Sequence, residues 1–188
     1  RPFSERSHYR NPYWDRQPCE GGSANWDRPG YAQTESHPVV CVNWDDALSY
    51  TQWLSQETGR HFRLPSDREW EYAAAAGSTS RYWWGNTLTE ANAACADCSR
   101  RVPNKPWIVA TLGSNAWGLM GTASNVREWS CSALTAGRCA ASSEPGQRIV
   151  RGGSWRDPEV ALQTDFRAML DKSSRNTWTG FRVIEEAR

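Results

Sequence analysis

An α+β fold with two main helices, short antiparallel strands and long irregular connections is predicted by three features of this sequence. Two segments repeat apolar residues at helical spacing between recognisable start and stop signals. The remaining apolar runs are of strand length, and 12 tryptophans are scattered through a chain of low periodicity. Indole rings bury large areas and need a partner for their N–H, so a tryptophan-rich chain fits loops pinned together by aromatics. The 188 residues suit a single domain, 1–188, long enough to bury a core.

Residues 1–36, rich in Pro, Gly, Arg and aromatics, read as irregular packed chain. Pro38-Val39-Val40-Cys41-Val42 reads as a short buried strand. Asn43 then supplies an N-cap with Asp46 three residues on, and Ala47, Leu48, Thr51 and Leu54 predict a helix from Trp44 to about Thr58, stopped by Gly59. Ser66 and Glu69 form a second capping box, and Trp70, Ala73 and Ala74 give the buried stripe of a helix ending before Gly77. Regular periodicity then lapses for about 70 residues that hold Trp83, Trp84, Trp107, Trp117, Trp129 and four cysteines. So long a loop inside a compact domain is functional or heavily stapled. Arg148-Ile149-Val150-Arg151 and Gly180-Phe181-Arg182-Val183-Ile184 read as short strands.

A formal net charge of +1 gives no global field for nucleic acid or anionic membrane. No apolar run approaches the roughly 18 residues of a membrane span. Apart from Lys105 and Lys172 the basic residues are all Arg, expected mostly at the surface with some structural ion pairs. The chain opens at Arg1 with neither Met nor a signal-peptide core, as a processed chain or fragment would. His8, His37 and His61 are too far apart for an HxxxH cluster, and no GxSxG, P-loop or GxGxxG occurs.

Several blocks resemble the formylglycine-generating enzyme (sulfatase-modifying factor) family. They are His37-Pro-Val-Val-Cys-Val-Asn-Trp-Asp-Asp-Ala47, Gly59-Arg-His-Phe-Arg-Leu-Pro-Ser-Asp-Arg-Glu-Trp-Glu-Tyr-Ala-Ala74 and Tyr82-Trp-Trp-Gly-Asn86. Further on come Trp117-Gly-Leu119 with Asn125-Val-Arg-Glu-Trp129, Val150-Arg-Gly-Gly-Ser-Trp155 and Gly180-Phe-Arg182. They stand in family order across residues 25–184. The resemblance implies the family's C-type-lectin-like fold with little regular secondary structure, its usual N-terminal strand being absent here.

Enzymes of the family oxidise a substrate cysteine with copper held by two cysteines just after the Arg-Gly-Gly-Ser block. Paired thiolates are soft ligands that select Cu(I). Here that stretch reads Trp155-Arg-Asp-Pro-Glu-Val-Ala-Leu-Gln163, and no cysteine follows Cys139. Asp157 and Glu159 are hard ligands, so copper is not expected, nor is formylglycine chemistry. As a catalytic carboxylate pair the two are outweighed by the reading of a solvated loop. The family's calcium sites map onto Asn92 in one case and onto Gly121, Ser124, Val126 and Glu128 in the other. Gly121 offers no side-chain oxygen, and the acidic partner of Asn92 is replaced near Arg101 or Val102, so calcium is expected to bind weakly or not at all. An ion pair between Glu128 and an arginine such as Arg151 is the alternative use of that carboxylate.

Proximity and the resemblance together imply the disulfides Cys19–Cys41, Cys95–Cys98 and Cys131–Cys139, although six cysteines leave the connectivity open. The rival for Cys95-Ala96-Asp97-Cys98 is one knuckle of a zinc site, disfavoured because no second CxxC exists. Disulfides would place the chain in the periplasm or outside the cell. The function expected is a non-catalytic recognition or scaffold module, an accessory subunit of a larger extracytoplasmic complex. Its binding surface is expected at Trp155, Asp157, Glu159, Arg167 and Trp178, with core packing as the rival use of the tryptophans. The alternatives are an oxidase like the relative that acts in pyoverdine maturation, and a diversified ligand-binding protein of a retroelement system. The second ranks last because residues 155–179 are poor in Asn, Ser and Tyr.

Overall fold

The computed structural model describes Cys19 and residues 24–88, 92–98, 105–133 and 139–187. Most of the irregular N-terminal part expected over 1–36 lies outside the described residues; from 24 to 36 the chain is irregular, as expected.

The first helix, α1, runs Trp44–Thr58. The Asn43 side chain accepts the Asp46 N–H at 2.9 Å, and the Asp46 carboxylate accepts the Asn43 N–H at 2.9 Å. Gly59 ends α1 in the left-handed conformation, at φ 65°. The second helix, α2, runs Asp67–Ala75 with the Ser66–Glu69 box formed. It stops one residue sooner than Gly77 suggests: Ala76 itself is left-handed, and its N–H bonds Tyr72 O at 3.1 Å.

Strand β1 (Phe62–Arg63) follows α1, β2 is Arg127–Ala133, β3 Gln147–Arg151, β4 Ala168–Asp171, β5 Thr179–Phe181 and β6 Ile184–Glu185. Four strands form one sheet in the order β4-β3-β2-β5, and β1 pairs with β6. Pairing is antiparallel except between β2 and β5, which run parallel. Short 3₁₀ turns cover Val109–Thr111 and Glu159–Leu162.

Three expectations about strands change. Residues 38–42 are buried at Val40, Cys41 and Val42 but form no strand, because Cys41 adopts a positive φ of 61° and breaks the extended run. Their backbone groups bond elsewhere: Cys41 N–H to Asn176 O at 2.9 Å, and Val42 O to the Trp129 indole at 3.1 Å. The stretch 180–184 splits into β5 and β6, which belong to different sheets. Strand β2, one of the sheet's two inner members, lies in the stretch expected to be irregular. Its six residues from Arg127 to Ser132 are all buried, whereas the alternation of Trp129, Cys131 and Ala133 with polar residues is the pattern of a strand with one solvated face.

The core gathers Trp44, Ala47, Leu64, Trp129, Cys131, Val150 and Ala168. Three buried indoles find acceptors, Trp44 at Ser130 O (2.8 Å), Trp70 at Glu128 Oε2 (2.6 Å) and Trp129 at Val42 O. Disulfides join Cys19–Cys41, Cys95–Cys98 and Cys131–Cys139. Not all arginines are solvated as expected: Arg127, Arg148 and Arg151 are each 1% exposed. No helix among the described residues is long and apolar enough to cross a membrane.

Gly180 lies so close beneath residue 39 that a Cβ there would sit 2.3 Å from Val39 O. Gly180→Ala is expected to cost about 1–3 kcal/mol, read as a lower urea midpoint at unchanged slope. The Glu69 carboxyl is held down to about 2 from 4.5, first by its hydrogen bonds from Arg63 and then by those from Ser66 against the opposing pull of burial. Its folded value lies below its unfolded one, so its contribution is complete above 4.5 and is lost as pH falls toward about 2. Thermal melts across that window should show a shallower decline for Glu69→Gln than for the parent chain.

Candidate functional site

After β3 the chain turns sharply through Gly152 and Gly153, at φ 90° and 66°, and delivers the segment 154–163 onto the start of β2. A Cβ at Gly153 would lie 2.8 Å from Ala161 O, so glycine is required for this close approach. Asp157 is fully buried and grips the equally buried Arg127 bidentately, with Arg127 Nε donating to Oδ2 at 2.8 Å and Nη2 to Oδ1. The Ser154 hydroxyl donates to Asp157 Oδ2 at 2.7 Å. The carboxylate is thus paired and hydrogen-bonded, the condition under which burying a charge is tolerated.

The expected surface residues part company here. Asp157 and Trp178 are 0% and 2% exposed and belong to the interior, not to a binding face or a solvated loop. Trp155 is half-buried, with its indole donating to Thr177 O at 3.2 Å. Arg156 bridges the two indoles, its guanidinium 5.6 Å from the Trp155 ring and 4.4 Å from that of Trp178. Glu159 and Arg167 are exposed, but neither is idle. Glu159 Oε1 accepts from Tyr82 OH at 2.7 Å, and Arg167 donates to Asp67 Oδ2 at 2.7 Å. Burial first, and then Glu159, push the Tyr82 phenol up, so it stays a donor.

The loop Cys95–Cys98 packs onto this same segment. Cys95, Cys98 and Tyr82 share a cluster with Ala161 and Leu162. Ala96 N–H donates to Asp157 O at 2.9 Å, and Glu159 N–H donates to Asp97 Oδ1 at 2.7 Å.

Glu128 lies on β2, opposite Arg151 in the β2–β3 register, yet Arg151 is not its partner. Arg151 turns to Asp67 and Glu71 and donates to Thr164 O, Asp165 O and Phe166 O. Arg182 takes Glu128 instead, with Nη2 on Oε1 at 2.7 Å and Nε on Oε2, and also donates to Met120 O at 3.0 Å. With the Trp70 indole on Oε2, both carboxylate oxygens are engaged. Ser124 and Asn125 nearby hold positive φ values of 138° and 70°. Asn92 stands apart beside Gly113 and Trp83; the Arg101 and Val102 positions lie outside the described residues.

The residues of segment 155–163 and those around Glu128 do not fit the copper and the calcium that the resemblance implies at those two places. Segment 155–163 offers no thiolate, its buried carboxylate belongs to Arg127, and the cysteines that approach it are joined as a disulfide. At Glu128 a guanidinium fills the place of a cation, and Gly121 supplies no oxygen side chain.

Elsewhere, a groove of about 850 Å³ opens between α1 and β5, lined by Trp26, Val39, Val42, Tyr50, Phe181 and Val183, with the Asp46–Arg175 pair at its side. Trp26 and Tyr50 are 61% and 43% exposed, and Trp53, half-exposed, lies 5.5 Å from the Tyr50 ring. No local pattern in the sequence marks this groove, because its aromatics come from residues 26, 50 and 181.

Fold and site together define a loop-dominated α+β scaffold whose site segment is carried by a double-glycine turn behind an inner strand. A family model described as Sulfatase-modifying factor enzyme 1-like domain matches residues 2–187, and the chain belongs to that family. It is 35% identical over 157 residues to the formylglycine-generating enzyme of Streptomyces coelicolor, covering 70% of this chain and 48% of that one. It is 30% identical over 154 residues to the bovine protein named inactive C-alpha-formylglycine-generating enzyme 2, covering 77% and 45%. The structure of PvdO from Pseudomonas aeruginosa superposes with a TM-score of 0.74 at 29% identity, over 85% of this chain and 66% of that one. The chain thus spans under half the length of these two curated relatives.

Asp157→Ala removes the bidentate carboxylate from the buried Arg127, and is expected to cost about 3–5 kcal/mol. Arg127→Met with Asp157→Leu should recover most of that loss, measured by urea unfolding of the single and double variants.

Proposed function

We propose that the chain is a non-catalytic recognition module of an extracytoplasmic assembly, built on the sulfatase-modifying-factor scaffold. The observation that carries this reading is the buried Arg127–Asp157 pair. It takes up the buried carboxylate of the segment where the family's reactive thiolates would stand, and residues 155–163 themselves carry no sulfur ligand. Glu128, engaged by Arg182 and Trp70, supports a chain that holds no calcium at that position. The bovine relative named inactive offers a parallel on the same scaffold. Three disulfides support a periplasmic or secreted location.

The recognition face in this reading is the groove of Trp26, Tyr50 and Phe181, with Trp53 on its flank. Exposed Trp and Tyr are the side chains that anchor protein interfaces. The occupant is an apolar segment of a protein partner: the lining is mainly hydrocarbon, and Asp46 and Arg175 neutralise one another beside it.

A photo-crosslinking residue at Tyr50, in the chain produced in its native cells, should yield one discrete protein adduct. Trp26→Ala should abolish it, and a crosslinker at Asp165 should give none. In parallel, the purified chain with copper and oxygen should leave a cysteine-containing peptide unchanged. An aldehyde product there, or an adduct indifferent to Trp26→Ala, overturns the reading.

The likeness to PvdO favours a second reading, an enzyme of that branch of the family. It requires a small-molecule substrate that binds beside Trp155, Glu159 and Arg167; saturation transfer from those residues to a bound ligand would support it over the first.

A further inference from the structure

We propose that Cys95, Asp97 and Cys98 form a binding site for a thiophilic cation, occupied when the Cys95–Cys98 disulfide is reduced. Their ligand atoms, Sγ, a carboxylate oxygen and Sγ, all lie within 4.8 Å of one another. Asp97 Oδ1 is 3.3 Å from Cys95 Sγ. The C-x-x-C spacing is the bite with which a single hairpin presents two thiolates to a zinc-like ion. Two sulfurs and one oxygen leave a fourth, open position, the arrangement of metal sites that admit a further ligand.

The surroundings favour such a use. Cys95 is fully buried and Cys98 nearly so, against Tyr82, Ala161 and Leu162, while Asp97 is exposed at the mouth. The loop is held in shape by contacts that do not depend on the sulfur–sulfur bond, the Ala96 N–H on Asp157 O and the Glu159 N–H on Asp97 Oδ1. Opening the disulfide therefore leaves the three donors converged. A carboxylate beside two bare thiolates is electrostatically unfavourable, and a cation among them removes the conflict. The disulfide closes the shortest loop of the three, a separation of 3 residues against 8 and 22, so it restrains the unfolded chain least.

The chemistry balances in two steps. A thiol-class reductant gives two electrons and two protons to the disulfide and leaves as its own disulfide, producing the Cys95 and Cys98 thiols. A divalent cation then displaces those two protons and is held by the thiolate pair and Asp97. The site lies against the 157–162 segment but is distinct from the groove, and does not rest on the recognition reading.

The test uses the whole chain, reduced mildly without oxygen and freed of reductant, with alkylation mass mapping to show which cysteines opened. Titration with zinc(II) alone should give one ion per chain in the reduced protein and none in the oxidised protein. Cys95→Ser with Cys98→Ser should abolish binding. Asp97→Asn, which keeps both cysteines and so guards against misfolding, should weaken it. Loss of even an outer-shell partner weakens metal sites about 10- to 100-fold, so about tenfold is the least effect expected of a lost ligand. Cobalt(II) in place of zinc should show thiolate charge-transfer absorption in the parent chain and not in the double variant. Zinc bound equally by the double variant, no zinc bound by the reduced parent, or full affinity in Asp97→Asn each overturns the proposal.

Discussion

The bidentate contact between Arg127 and Asp157 ties the first residue of the inner strand β2 to the loop that follows β3. Taking two charges out of water is costly, and the cost is tolerated only because the fork geometry matches and Ser154 satisfies a further lone-pair direction. The double-glycine turn, the half-buried Trp155 and the contact with the Cys95–Cys98 loop all take their places from where that pair holds residue 157. The same residue type does similar work elsewhere. Arg151 gathers three successive carbonyls, at 164, 165 and 166; Arg148 reaches Glu144 O at 2.6 Å; Arg182 joins Glu128 to Met120 O. A fold with few ladder hydrogen bonds uses guanidinium forks to satisfy loop carbonyls that would otherwise be buried unpaired.

The helices were legible because their signals are local. Asn43 with Asp46 and Ser66 with Glu69 are contacts three residues apart, and both boxes form. The inner strand was hidden for the opposite reason. Arg127, Glu128, Ser130 and Ser132 are buried polar residues whose partners stand at 157, 182, 149 and 67, so the strand's alternation with Trp129, Cys131 and Ala133 gives no sign that its polar face is buried too. The Val-rich run at 39–42 misled in the other direction, since its hydrophobicity reports burial correctly but not the backbone conformation that Cys41 adopts.

The candidate site divides along the same line. Segment 155–163 and the two carboxylates, Asp157 and Glu159, could be located from the Arg-Gly-Gly-Ser-Trp block, but their opposite fates could not. Asp157 turns in to a buried arginine, and Glu159 turns out to a tyrosine 77 residues earlier. The disulfide pairing came from proximity together with the family resemblance, with the connectivity left open by six cysteines; the approach of Cys95 and Asp97 to residues 157–162 could not be read, since it depends on how two loops cross.

The parallel pairing of β5 with β2 bears on how the molecule is made. Strand β2 acquires β3 within about 20 residues of synthesis, but its other edge stays open until residues 179–181 emerge some 50 residues later. During that interval Trp129, which packs in the central cluster, and the unpaired backbone of the inner strand remain available to other chains. Closure by contacts of such long sequence separation is slow. Assembly of this sheet is therefore an event of late synthesis or export, and a nascent chain stalled before β5 is the form most exposed to aggregation.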